Sequence, residues 1–150
     1  MSVVLDSSAM LALLRDEPGA DVVESLFDQL EEGDFGIFAH STNLAEVFYE
    51  MTATHGRAAA QTAIADFKAE GLIERADLDG VFWREMADLI AFRRTMPRNP
   101  ANPKAVPRLA LGDAFGVTLA NRLSVQFVTA DRTEIEPLVA SSKCAALFIR

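Results

Sequence analysis

The chain has 150 residues, of which half are hydrophobic and 24% are charged, and its formal net charge is −8. This composition favours a single globular domain over residues 1–150, and no apolar run reaches the roughly 18–20 residues of a membrane span, so no membrane partner is expected. The single Cys144 excludes an intramolecular disulfide and, with no signal-peptide pattern after Met1, predicts a cytoplasmic location. The acidic balance argues against a nucleic-acid partner unless the acids surround bound cations.

The first third of the chain predicts buried strands that lead directly into helices. Asp6 and two hydroxyl residues follow the first apolar run, and the apolar spacing then becomes helical. The predicted elements are a strand at 3–5, a helix from 7 to about 15, a helix at 20–30, a strand at 35–39 and a helix from about 41 to 55.

The remaining chain continues the alternation. The predicted elements are a helix at 58–69, a short edge strand at 72–75, a helix from 80 to about 93, a helix that begins at 109–113, a strand at 124–129, a helix at 134–140 and a final strand at 145–149. Strands that alternate with helices predict an α/β fold, in which a central and mainly parallel sheet of about four to five strands is flanked by helices.

Four acids occupy notable positions in this arrangement. Asp6 and Asp131 directly follow strands, and Glu46 and Asp113 are expected in the first turns of helices. Each has a simple structural explanation. Asp6 and Asp113 suit helix N-caps, Asn43-x-x-Glu46 resembles a capping box, and Asp131 suits an Asx-turn.

Taken together, the four acids predict a metal site. The carboxyl ends of parallel strands and the helices that follow them meet at one edge of a sheet, where ligands bind. Carboxylates gathered there would repel one another unless a cation lay between them. Oxygen ligands without a histidine or cysteine partner indicate Mg²⁺ or Mn²⁺.

Four short segments resemble the PIN-domain ribonucleases, and most closely the VapC-type toxins of bacterial toxin–antitoxin modules. The segments are residues 4–8 (VLDSS), 43–46 (NLAE), 111–115 (LGDAF) and 127–132 (FVTADR). The resemblance implies a PIN-like domain and a metal-dependent endoribonuclease toxin. It also implies that the protein is a homodimer and is restrained by a cognate antitoxin.

The resemblance also assigns roles to residues. Asp6, Glu46, Asp113 and Asp131 correspond to the catalytic acids that bind Mg²⁺ or Mn²⁺. Asp6 and Asp113 are expected to contact the metal directly, and Glu46 and Asp131 to complete its shell directly or through water. Thr129 is expected to support the cluster by hydrogen bonding.

The segment before Asp113 departs from the compact loop expected of the family. Residues 97–108 hold four of the six prolines and no acid. A loop this long in a small domain is usually functional. One hypothesis is that Arg98, Lys104 and Arg108 contact RNA phosphates, and the alternative is a solvated loop or a dimer contact.

Two other functions are weighed against the nuclease. A non-catalytic PIN-like module that binds RNA or protein is the main alternative, although such a module has no use for four mutually repelling acids. A phosphatase of the Asp-x-Asp type is disfavoured because Ser8 stands where the second acid is required.

Overall fold

The fold alternates five strands with seven α-helices. The computed structural model describes the backbone of residues 1–150 and all side chains except those of residues 31 and 32. The strands are β1 Ser2–Leu5, β2 Gly36–His40, β3 Ile73–Arg75, β4 Gln126–Thr129 and β5 Ala146–Phe148. The α-helices are α1 Ser7–Leu14, α2 Ala20–Asp28, α3 Ser41–His55, α4 Arg57–Ala69, α5 Gly80–Thr95, α6 Leu111–Leu123 and α7 Arg132–Ala140, and a 3₁₀ turn covers Gln29–Glu32.

The strands form one parallel sheet in the order β3-β2-β1-β4-β5. The first strand of the chain therefore lies at the centre, between β2 and β4. The predicted α/β class and parallel sheet are confirmed, and the segment at 72–75 is an edge strand. Because all five strands run in the same direction, their carboxyl ends lie at one edge.

Helices cover both faces of the sheet, which explains why β1 is apolar at successive positions. Val3 and Leu5 pack into a core formed with α1–α4, and Val4 packs into a second core formed with α5–α7. Successive side chains of a strand point to opposite faces, so one short strand contributes to both cores. None of the helices in the described part of the chain combines the length and the apolar character needed to cross a membrane.

The loop 96–110 joins α5 to α6. Met96 has extended backbone angles and precedes Pro97, and a residue before proline is disfavoured in helical conformation. Within the loop, Arg98 Nη1 donates to the Pro103 carbonyl over 3.0 Å. The proline-rich basic segment is thus an irregular connection that leads directly into the helix that carries Asp113.

Candidate metal centre

Asp6 and Asp131 lie at the carboxyl ends of neighbouring strands. β1 ends at Leu5 and β4 ends at Thr129, and the two strands pair in parallel. The pairing continues beyond β1, because the Asp6 amide donates to the Val128 carbonyl over 2.9 Å. Both acids therefore reach the same edge of the sheet, as predicted.

Three hydroxyl groups orient the Asp6 carboxylate, which is buried. Its Oδ2 accepts hydrogen bonds from Ser8 Oγ at 2.6 Å and Thr129 Oγ1 at 2.7 Å, and its Oδ1 lies 3.3 Å from Ser7 Oγ. Burial raises the pKa of Asp6, and the hydroxyl donors offset only part of that rise. Asp6 stands at the N-cap position of α1 but makes no side-chain capping bond, so capping does not explain it. Thr129 gives the support expected of it.

Glu46 lies in the second turn of α3, and the prediction that it lies in the first turn is wrong. The helix begins at Ser41, because the His40 side chain accepts a hydrogen bond from the Thr42 amide and caps it. Asn43 is therefore inside the helix, and the Asn-x-x-Glu pattern does not form a capping box. The Glu46 carboxylate is left without a capping role.

Ser7 connects the carboxylates of Glu46 and Asp6. Its Oγ lies 2.5 Å from Glu46 Oε2 and 3.3 Å from Asp6 Oδ1. Burial raises the pKa of Glu46, and the charge of Asp6 raises it further against the opposing hydrogen bond from Ser7. Glu46 and Asp6 thus form one half of the site.

The start of α6 packs directly against the Glu46 carboxylate. A Cβ at Gly112 would overlap Glu46 Oε1 and lie 2.8 Å from Glu46 Cδ, so a side chain at this position would displace the Glu46 carboxylate. Asn43 Nδ2 donates to the Gly112 carbonyl over 3.1 Å and holds α6 against α3. The next residue, Asp113, is thereby brought to the same edge of the sheet.

Asp113, Asp131 and Glu134 form the other half of the site. Each offers a carboxylate oxygen, and the three oxygens lie within 4.8 Å of one another. Asp113 is in the first turn of α6, and Asp131 caps α7 by accepting a hydrogen bond from the Glu134 amide at 3.0 Å. An N-cap at Asp131 replaces the predicted Asx-turn. We call Asp6, Glu46, Asp113, Asp131 and Glu134 the carboxylate cluster.

Glu134 is a member of the site that the sequence patterns did not predict. Asp131-x-x-Glu134 has the spacing of a capping box, which places an acid in the first turn of α7 directly beside its cap. That spacing could have identified Glu134 once Asp131 was placed at a strand end.

Glu134 is held by groups from two other segments, the loop 96–110 and α5. Its Oε1 accepts from Arg108 Nε at 2.8 Å, and its Oε2 accepts from the Ala110 amide at 2.6 Å. The buried Arg93 of α5 donates to the backbone carbonyls of Glu134 and Thr133, each over 3.2 Å. These bonds fix the start of α7, and with it Asp131, against α5 and the loop 96–110.

The protonation of the cluster reflects its crowding. Burial and the charge of Asp6, together with Glu134 and Asp131, raise the pKa of Asp113 to about 10. Burial alone would raise the pKa of Glu134. Hydrogen bonds from Asp113, Ala110 and Arg108 outweigh burial and lower it. At neutral pH the cluster therefore retains a proton unless a cation neutralises it.

The donor set fits a hard divalent cation. All five side chains offer carboxylate oxygens, which are the ligands of Mg²⁺ and Mn²⁺. His40 is excluded as a ligand because its ring nitrogens bond to Thr42 and the Asp77 carbonyl. Among the described side chains, the group of Asp113, Asp131 and Glu134 is the one set of three close enough to hold an ion.

Of the three predicted RNA-contacting residues, Arg108 reaches the carboxylate cluster. Its guanidinium pairs with Glu134. Arg98 bonds within the loop, and Lys104 is exposed. The basic loop therefore meets the acidic site at its carboxyl end.

The sequence matches the family model of the PIN domain over residues 3–135. No curated protein matches the chain at a significant level.

Solved structures share the fold at low sequence identity. The chain is similar to VapBC-1 from nontypeable Haemophilus influenzae, with a TM-score of 0.69, 10% identity and coverage of 99% of this chain and 98% of that one. It is similar to Mycobacterium tuberculosis VapC20, described as a toxin that cleaves the sarcin-ricin loop, with a TM-score of 0.64, 12% identity and coverage of 90% and 94%. It is also similar to VapBC2 from Rickettsia felis bound to promoter DNA, with a TM-score of 0.63, 15% identity and coverage of 99% and 98%.

Proposed function

The chain belongs to the PIN-domain family, and from this premise we propose that it is a Mg²⁺- or Mn²⁺-dependent endoribonuclease that acts as the toxin of a toxin–antitoxin pair. The observation that carries the proposal is the carboxylate cluster, in which buried and half-buried acids converge from four segments without a matching set of cations among the described side chains. Such a cluster is unfavourable in a binding module and useful in a nuclease.

The acids of the carboxylate cluster have two proposed roles, which are to hold the metal and to accept a proton. Asp6, Asp113, Asp131 and Glu134 would hold the metal, and Ser8 and Thr129 orient Asp6 by hydrogen bonds. A bound divalent ion supplies positive charge to the phosphodiester oxygens and lowers the pKa of water.

We assign proton acceptance to Glu46. It is partly exposed, and burial raises its pKa, which suits a group that takes a proton from attacking water. The Ser7 hydroxyl donates to its Oε2 and orients the carboxylate. Glu46 would complete the metal shell through that water.

The partners follow from the same premise. Two of the similar structures named above are VapBC complexes, and we propose that this chain also binds a cognate antitoxin and is a homodimer. The cytoplasm is the proposed location, because the lone Cys144 cannot form an intramolecular disulfide and suits a reducing compartment. An antitoxin that places an arginine or lysine among the carboxylates would compete with the metal.

Replacing Asp6 with asparagine tests the nuclease. We expect RNA cleavage with Mg²⁺ or Mn²⁺ to fall about 100-fold or more, because a buried charged ligand is lost. Asp88→Asn, which changes an exposed acid on α5, is the matched control and should cleave like the native chain. Cleavage is measured on structured RNAs with metal and with EDTA. Equal cleavage by native chain and Asp6→Asn would contradict the mechanism, and RNA binding without cleavage in any metal would favour the non-catalytic module.

We also propose that Arg98 and Lys104 contact RNA phosphates. Neutralising both with glutamine should weaken binding and reduce the slope of log affinity against log salt by about 1.4, since each contact to a single strand contributes roughly 0.7. Lys68→Gln, on α4, removes one charge outside the loop and is the control. Binding titrations of catalytically inactive protein across a salt series measure the slope. An unchanged slope would leave the loop as a solvated segment or a dimer contact.

A further inference from the structure

The ion pair of Arg108 and Glu134 is strongly asymmetric. The Glu134 side chain is 8% exposed, whereas the Arg108 side chain is 76% exposed. A carboxylate that is removed from water needs a positive partner, while a guanidinium that remains mostly in water does not. Arg108 can therefore leave Glu134 at little cost, but Glu134 requires another cation when it does.

Within the described part of the chain, Arg108 is the one basic side chain that forms an ion pair with a member of the carboxylate cluster. The other ion pairs join acids and bases elsewhere on the surface, and none includes Asp6, Glu46, Asp113 or Asp131. Arg93 lies nearby, but it donates to backbone carbonyls. One arginine thus partly neutralises a group of five acids.

The second oxygen of Glu134 keeps the loop in place independently of Arg108. The Ala110 amide donates to Oε2, and Arg108 donates to Oε1. Losing the arginine therefore leaves the loop attached at the start of α6. Arg108 therefore binds one oxygen of Glu134, and Glu134 also belongs to the three-oxygen group with Asp113 and Asp131.

We infer that Arg108 is an internal counter-cation of the carboxylate cluster, and that a divalent cation bound by Asp113, Asp131 and Glu134 displaces it. This inference rests on the proposed function, because it takes the cluster to be a divalent-metal site. In the metal-free protein, Arg108 compensates the charge of Glu134. In the metal-bound protein, the released guanidinium is available to an RNA phosphate at the same edge of the sheet.

Removing Arg108 tests the competition. Arg108→Gln should bind Mn²⁺ about 1.4- to 5-fold more tightly than the native chain, since a partly exposed ion pair contributes about 0.2–1 kcal/mol. Arg94→Gln, which changes an exposed arginine in the last turn of α5, should leave the affinity unchanged and controls for the general loss of positive charge. Glu134→Gln should weaken binding about tenfold or more. Affinity is measured by electron paramagnetic resonance of free Mn²⁺.

A second readout follows the arginine itself. The Nε–H group of Arg108 donates to Glu134, so its NMR signal should exchange slowly with water in the metal-free protein. Saturation with diamagnetic Mg²⁺ should accelerate that exchange, and the signal is assigned by its absence in Arg108→Gln.

The outcomes separate this inference from the proposed function. If native protein, Arg108→Gln and Arg94→Gln bind Mn²⁺ equally and Mg²⁺ does not change the Nε–H exchange rate, the displacement is wrong, while the proposal of metal-dependent cleavage is unaffected. If native protein binds Mn²⁺ and Arg108→Gln binds it more tightly, but no RNA is cleaved, the displacement holds and the nuclease proposal fails. If native protein binds neither ion, both fail.

Discussion

Asparagine in place of Asp113 should reduce metal-dependent RNA cleavage by about 1000-fold or more, which is the largest loss we expect from a single substitution in the cluster. Asp113 shares the three-oxygen group with Asp131 and Glu134, and its pKa also responds to Asp6. It therefore belongs to one half of the site and interacts electrostatically with the other. A thousandfold loss corresponds to about 4 kcal/mol, within the several kcal/mol that a bound metal contributes.

The same substitution should stabilise the metal-free protein. The ordinary pKa of the Asp113 carboxyl is 3.8, and in the folded state its pKa is about 10. At a pH between these two values the carboxyl is protonated in the folded state and ionised in the unfolded state. The folded state then binds more protons, so the free energy of unfolding falls as pH rises through this range. The asparagine side chain of the variant does not titrate, and it can donate to Glu134 as the protonated acid does.

Urea unfolding at pH 5.5 and pH 8 measures this effect. A pKa shift of one unit corresponds to a free energy of about 1.4 kcal/mol. Even part of the Asp113 shift should therefore make Asp113→Asn about 1–3 kcal/mol more stable than the native chain at pH 8. The difference should be smaller at pH 5.5. Saturating Mn²⁺ should stabilise the native chain more than the variant. Asp88→Asn serves as the exposed-acid control. A variant with the native pH dependence and the native response to Mn²⁺ would show that Asp113 is not a metal-site acid.

Alanine in place of Gly116 should destabilise the fold by about 1–3 kcal/mol, although glycine-to-alanine changes inside helices usually stabilise by up to about 1 kcal/mol. A Cβ at Gly116 would overlap the ring of the buried Phe127 and lie 2.8 Å from its Cζ. It would also lie 3.1 Å from Asn43 Oδ1, which has no hydrogen-bond partner among the described residues. α6 would therefore have to move away from β4 and α3.

Gly80→Ala is the matched control for this steric argument. Gly80 starts α5, and a Cβ there would lie 3.4 Å from the far end of the Arg84 side chain, which is an ordinary contact. Urea unfolding should place Gly80→Ala within about 0.5 kcal/mol of the native chain. If both variants were equally stable, close packing of α6 on β4 would not be the reason for glycine at position 116.

Local sequence patterns were sufficient to place the acids that follow strands. Asp6 and Asp131 each end an apolar run, and the parallel pairing of β1 with β4 brings them to one edge. The predicted position of Asp113, in the first turn of its helix, agrees with the structure. The predicted position of Glu46 is one turn too close to the start of its helix, because a histidine cap is a weaker sequence signal than Asn43-x-x-Glu46.

The rest of the site depends on contacts between distant segments. Glu134 joins the cluster because Arg108 and Ala110 approach it from a loop about 25 residues earlier, and no short pattern encodes that approach. Arg93 belongs to the buried face of α5, yet it bonds to the start of α7. Irregular loops lack the periodicity from which helices and strands are predicted.

The hydrogen bond from Thr129 to Asp6 joins residues 123 positions apart, and this separation orders events during protein synthesis. A nascent chain exposes β1 and Asp6 first, but the strand that pairs with β1 on that side emerges only with residues 126–129. Glu134 emerges later still. Until then the growing chain carries Asp6 and Glu46 without their partners, so the carboxylate cluster stays incomplete until residues 126–134 have been synthesised.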